Sequence, residues 1–108
     1  MFIGATAPAT RAAVEYAQEA EALGADMLMV GMPYVKVPTE HELFDYYETI
    51  SSAVSLPIIV QDTPESDPIL SVDLICRMYD ELEHVHYAKA EGKDFLSKSL
   101  ALIERTDG

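Results

Sequence analysis

Tryptophan is absent and cysteine occurs once, at Cys76, in this chain of 108 residues. A lone cysteine excludes an intrachain disulfide, and no cysteine set has the spacing of a metal site. Cys76 sits in VDLICRMY among apolar neighbours at helical spacing, where a buried free thiol is expected. Positive charge is also scarce: 7 Lys and Arg stand against 19 Asp and Glu, a net charge of -12. Such a field repels phosphate backbones and anionic lipid, so neither nucleic acid nor a membrane is an expected partner. An anionic substrate would need a local cation or a group of backbone N–H donors. No apolar run reaches membrane-spanning length, and no basic segment followed by an apolar stretch opens the chain. The expected location is therefore cytoplasmic. His41, His84 and His86 have no ligand-like arrangement with carboxylates, so no metal is expected. The GATAPAT loop lacks the glycine spacing of a phosphate or dinucleotide loop, and no cofactor is expected either.

What the chain does have is alternation. Apolar residues make up 49% of it, enough for one globular domain with a modest core. MFIGA is a short apolar run. Thr10 is the expected N-cap of a helix through RAAVEYAQEAEALG, with Ala13, Ala17, Ala20 and Leu23 on one face and Gly24 as its stop. ADMLMV follows as a nearly continuous apolar strand, the kind found in parallel sheets. After a loop punctuated by Gly31, Pro33 and Pro38, Thr39 and Glu42 have capping-box spacing. The helix they predict, over 40–54, carries Leu43, Tyr46, Tyr47, Ile50 and Val54 at helical period. LPIIV is a third strand. SVDLICRMYDEL is an amphipathic helix capped by Ser71, with Leu74, Ile75, Met78 and Leu82 as its inner stripe. HVHYAK reads as a fourth strand, and Asp94 caps a last helix through FLSKSLALIER. The fold class is α/β, with parallel strands expected roughly at 1–5, 25–30, 57–60 and 85–89. Periodicity alone leaves both a doubly wound sheet and part of a barrel open. In either, polar chemistry gathers where the strands end.

Those ends carry Thr6, Tyr34, Gln61, Asp62 and Lys89. By strict alternation Lys89 shares the inward face of Val85 and Tyr87. On spacing alone, a lysine leaving a strand snorkels to solvent. The functional alternative is an amine kept neutral in a dry, enclosed site, attacking a ketone to form an imine. Gln61 shares the parity of Ile59 and can orient a carboxylate or carbonyl, but it cannot shuttle a proton. Asp62 points the other way or into the loop, and Asp-Thr-Pro reads first as a turn opening. Thr6 and the N–H groups of its loop could receive an anion. Tyr34 is the aromatic of a strand-end loop, a position often given over to packing.

In order and wording these segments resemble the dihydrodipicolinate synthase and N-acetylneuraminate lyase family, class I aldolase-like (β/α)₈ barrels. The resemblance rests on the stretch from EALGADMLMVGMPYVKVPTE to LPIIVQDTP, and on HVHYAKAEG. The family's forms are A-G-A-D, then P-Y-Y, then L-P-I-x-x-Y-N-x-P, then an I-K-E or K-L-E core around a Schiff-base lysine. That lysine falls on Lys89, which implies a lyase or aldolase acting through an imine on pyruvate or another 2-oxo acid. Thr6, Tyr34, Gln61 and Asp62 are the implied supporting residues. Three positions depart from the pattern. Gln61 replaces the tyrosine that relays protons to the imine, Asp62 replaces the asparagine beside it, and Val35 replaces the second tyrosine of P-Y-Y.

The resemblance implies a partial (β/α)₈ TIM barrel, a single domain over 1–108 whose four βα units correspond to strands three to six. The family's G-x-T-G-E segment, which cradles the substrate carboxylate, has no counterpart here. An open set of four strands leaves an apolar inner face and two edges uncovered. The expected partners are thus a 2-oxo acid and either further copies of the chain or a complementing barrel half. A non-catalytic half-barrel module mediating self-association is the alternative function. A receiver-like or flavodoxin-like domain is disfavoured, because no acidic cluster ends the first strand and no flavin phosphate loop follows it.

Overall fold

Four apolar segments form strands because each is short, bounded by turn residues and rich in residues that pack on a pleated surface. A computed structural model describes residues 1–33, 36–66, 69–106 and 108. The strands are β1 (Phe2–Gly4), β2 (Met27–Gly31), β3 (Ile58–Asp62) and β4 (Val85–Ala90). Helix α1 (Thr10–Ala22) follows β1, α2 (Glu40–Ala53) follows β2, α3 (Val72–Glu81) follows β3 and α4 (Phe95–Thr106) follows β4. A single 3₁₀ turn, Pro64–Ser66, interrupts the connection after β3. Among the described residues the strands form one parallel sheet in the order β1-β2-β3-β4.

The helices pack on one another in the same sequence, α1 on α2, α2 on α3 and α3 on α4. Leu28, Val30, Ile58 and Val60 are fully buried against them, whereas Phe2 and Tyr87 on the opposite face stay exposed. Sequential strands covered on one face are consistent with part of a TIM-barrel-like arrangement. A doubly wound sheet would reverse its order and cover both faces. Ile59 lies on the uncovered side yet is nearly buried, because Met29 and Tyr87 pair with it from either side.

The helix starts follow local chemistry. Thr39 accepts from the N–H of Glu42 at 3.1 Å, and the Glu42 carboxylate accepts from the N–H of Thr39 at 3.0 Å. The Thr39 side-chain cap contributes about 1 kcal/mol. Ser71 caps α3 by accepting from the N–H of Leu74. Thr10, by contrast, is the first residue inside α1 and caps nothing, since extended Ala9 occupies the cap position. Leu23 is also misplaced by helical spacing. It follows the last residue of α1, the chain turns at Gly24 (φ 86), and the side chain ends up exposed rather than beside Ala20.

One irregularity matters for the chemistry. Ile58 pairs with Val85 but Ile59 pairs with Tyr87, so β4 carries a bulge at His86. The extra residue reverses the alternation across it. Val85 is therefore buried on the helix side with Ile58, and Lys89 shares its face with Tyr87 alone. The shared parity of Val85 and Lys89 expected from strict alternation does not hold.

Candidate functional site

The C-terminal ends of the strands are fixed mainly through β2. Tyr47 donates to the carbonyl of Val30 at 2.7 Å, and Tyr46 donates to the carbonyl of Gly31 at 3.1 Å. Both tyrosines come from α2 and are buried, with their rings edge to face at 5.2 Å. From the other direction, Thr6 accepts the N–H of Gly31 at 2.7 Å. Thr6 thus braces β2 and presents its side chain beside Gln61. A Cβ at Gly31 would lie 3.4 Å from Thr6 Oγ1 and 3.6 Å from Gln61 Oε1, so the glycine keeps the space between them open. That space belongs to a cleft of about 350 Å³ lined by Thr6, Gly31, Lys36, Gln61, Thr63 and Glu65.

Gln61 and Lys89 are register partners on neighbouring strands and face the uncovered side of the sheet together. Glu91, just past the end of β4, joins them. Its Oε1 lies 3.4 Å from Lys89 Nζ and accepts from Gln61 Nε2 at 3.2 Å. An amine and an amide therefore both reach one carboxylate at the mouth of the sheet. Glu91 was not singled out by sequence reasoning, although residues two apart on an extended chain share a face, so Lys-x-Glu carried the signal. The Lys89 side chain is 51% exposed. The dry enclosure expected around it is not present in this chain, because no element covers that face among the described residues.

Asp62 is not the turn opener that Asp-Thr-Pro suggested. It is the last residue of β3, fully buried on the helix side. Its Oδ1 accepts from Ser66 Oγ at 2.7 Å, and its Oδ2 lies 2.8 Å from Lys98 Nζ, which reaches in from α4. Its backbone carbonyl accepts the N–H of Glu91 at 2.7 Å. So Gln61 and Lys89 meet on one side, Thr6 lies across Gly31 from Gln61, and Asp62 faces the opposite side of the sheet. Tyr34, and Val35 after it, lie outside the described residues.

A larger cleft of about 560 Å³ runs along the edge strand β4 between α3 and α4, lined by Ile75, Tyr79, His86, Ala88 and Leu102. Its walls are largely apolar, and it lies on the edge of the sheet rather than at the strand ends where Gln61 and Glu91 meet Lys89. Cys76 is buried, and that burial pushes its thiol pKa up, as expected of an inert structural cysteine. Among the described residues no three His, Cys, Asp or Glu side chains cluster as a metal site, and no helix is long and apolar enough to cross a membrane.

A lysine at the C-terminal end of a parallel strand is what the sequence resemblance implied, and the carboxylate beside it is new. The Dihydrodipicolinate synthetase family model matches residues 1–106. The chain belongs to that family. It is 40% identical over 88 residues to an L-2-keto-3-deoxyarabonate dehydratase of Azospirillum brasilense, covering 78% of this chain and 28% of that protein. It is 35% identical over 81 residues to a 4-hydroxy-tetrahydrodipicolinate synthase of Nitrobacter hamburgensis, covering 74% of this chain and 27% of that one. Among solved structures, a dihydrodipicolinate synthase from Acinetobacter baumannii complexed with pyruvate superposes with a TM-score of 0.89 at 31% identity. That match covers 99% of this chain and 36% of the synthase. The chain thus spans between a quarter and two-fifths of the length of these relatives. Members of the family are Schiff-base aldolases and lyases acting on pyruvate-like substrates.

Proposed function

We propose that this chain carries the imine-forming centre of a lyase or aldolase acting on a 2-oxo acid, with Lys89 as the nucleophile. The observation that supports this most strongly is the contact of Lys89, Glu91 and Gln61 at the end of adjacent strands. In this reading the four βα units correspond to strands three to six of a (β/α)₈ barrel, and the remaining units enclose the site. No cofactor is needed, because the iminium itself is the electron sink.

Each residue then has a definite part. Lys89 as the free amine adds to the C2 carbonyl, and loss of water gives the iminium. Glu91 removes a proton from C3 and leaves an enamine, a step for which a carboxylate beside the amine is well placed. Gln61 cannot move a proton and instead holds the Glu91 carboxylate. In a 3-deoxy-2-oxo acid bearing a C4 hydroxyl, the enamine expels that hydroxyl as water, taking the proton back from Glu91. Hydrolysis of the imine frees the product and Lys89. Elimination of this kind is favoured over dihydrodipicolinate synthesis on two grounds. The tyrosine of the synthase relay is replaced by Gln61, and a relative at 40% identity is a dehydratase of a 2-keto-3-deoxy acid. Thr6 and the cleft beside Gln61 offer room for the rest of the substrate.

Borohydride reduction in the presence of pyruvate, followed by peptide mass analysis, tests the assignment. A reduced adduct is expected on Lys89 and should vanish in Lys89→Arg, which keeps the charge but cannot form the imine. Failure with the barrel completed and folded would refute it. The alternative is a non-catalytic half-barrel that associates through its uncovered face, with further copies or a complementing half as the partner. The exposure of Phe2 and Tyr87 on that face favours this second reading. A well-folded monomer at micromolar concentration in light scattering would count against it.

A further inference from the structure

We infer that the buried pair of Asp62 and Lys98 is a positioning device, holding Gln61 and Glu91 in place from the far side of the sheet. The role rests on the reading of Gln61 and Glu91 as the groups that serve the imine. Gln61 and Asp62 are consecutive strand residues, so one faces the site and the other faces the helices. Any movement of the Asp62 backbone moves both site groups. Gln61 is its covalent neighbour, and the N–H of Glu91 is bonded to its carbonyl at 2.7 Å.

Three contacts hold the Asp62 side chain and its surroundings. Ser66 Oγ donates to Oδ1 at 2.7 Å, which ties the strand end to the 3₁₀ turn. Oδ2 lies 2.8 Å from Lys98 Nζ, whose charge balances it. Lys98 also donates to the carbonyl of Leu70, at the far end of the same connection. One amine from α4 thereby secures both ends of the loop that carries Thr63 and Glu65 along the cleft. The Asp62 side chain is fully buried and that of Lys98 is 11% exposed, so water does little to substitute for either partner. The asparagine that the family resemblance puts at this position would need no cation behind it. Asp62 needs Lys98 where an asparagine would not, so the neutral alternative supplies a rescue.

The test is amide-resolved hydrogen exchange on the full chain, which requires no turnover. In Lys98→Met, protection of the Glu91 and Ser66 amides should fall at least about tenfold more than that of the Leu28 amide in the sheet centre, which falls only with global stability. The double variant Asp62→Asn with Lys98→Met should recover most of that protection, because the buried charge is gone. Should Lys98→Met fail to fold, Ser66→Ala removes one donor alone and should give the same local pattern more weakly. Loss of protection in parallel at Glu91 and Leu28, or no recovery in the double variant, would overturn the inference and leave the pair as ordinary structural glue. Borohydride trapping of pyruvate with the barrel completed and folded reports separately on the imine reading, so the two can fail independently.

Discussion

Two lysine–carboxylate pairs stand back to back across the end of one sheet, and they are built for different purposes. Lys98 and Asp62 are almost wholly buried, 2.8 Å apart, with Ser66 completing the carboxylate. Lys89 and Glu91 are 3.4 Å apart, with side chains 51% and 39% exposed. A buried pair cannot lose one member without stranding the other, whereas an exposed pair contributes little to stability. The first is therefore fixed in place, as a pair that holds the strand end must be. The second is free to change partners, as the proposed nucleophile would have to be.

The largest effect should come from breaking the buried pair. Lys98→Met is expected to cost about 3–5 kcal/mol in urea denaturation, because it strands the Asp62 charge. The double variant Asp62→Asn with Lys98→Met should return to within about 1 kcal/mol of the starting stability. If Lys89→Met destabilised the chain as much as Lys98→Met does, the contrast between the two pairs would collapse. The expected loss is under about 1 kcal/mol, with the pyruvate adduct abolished.

Tyr47 sharpens the comparison from within the covered side. Its hydroxyl is buried and bonded to Val30, so Tyr47→Phe should cost roughly 1 kcal/mol. Burial first, then Tyr46 and Asp62 nearby, raise the pKa of Tyr47 well above its ordinary 10.0 in the folded chain. In the unfolded chain it stays near that value. The stability gained by keeping the phenol neutral is thus intact below about pH 10 and lost as pH climbs above it. Denaturation midpoints between pH 8 and 11 should fall in the parent chain and fall less in Tyr47→Phe.

The smallest effect belongs to the exposed capping box. The pKa of Glu42 is lowered, chiefly by the hydrogen bond from the Thr39 backbone, then by the Thr39 side chain and Lys36. A carboxylate depressed in this way supports the fold above its unfolded pKa and ceases to as pH falls through the folded one. Glu42→Gln should flatten that acid-side slope slightly, with little change at neutral pH.

Much of this architecture could be read along the chain. The alanine face of α1, the apolar stripes of α2 and α3, the Thr39–Glu42 box and the Ser71 cap are all local patterns, and local patterns survive folding when nothing opposes them. That Gln61 and Lys89 stand at the ends of neighbouring strands was also readable, though the parity of Val85 with Lys89 was not kept. Three things were not. The bulge at His86 adds one residue to β4 through pairing with β3, and no period in the sequence announces it. The bond from Gln61 to Glu91 forms only because the pairing of β3 with β4 brings the two together. The burial of Asp62 depended on Lys98, a residue on a different helix, because a carboxylate can be hidden from water only where the fold brings a cation to it. Sequence by itself determined the elements, their order and the residues that could do chemistry. Tertiary structure decided which side of the sheet each one faced, since parity counts from a register that only strand pairing sets.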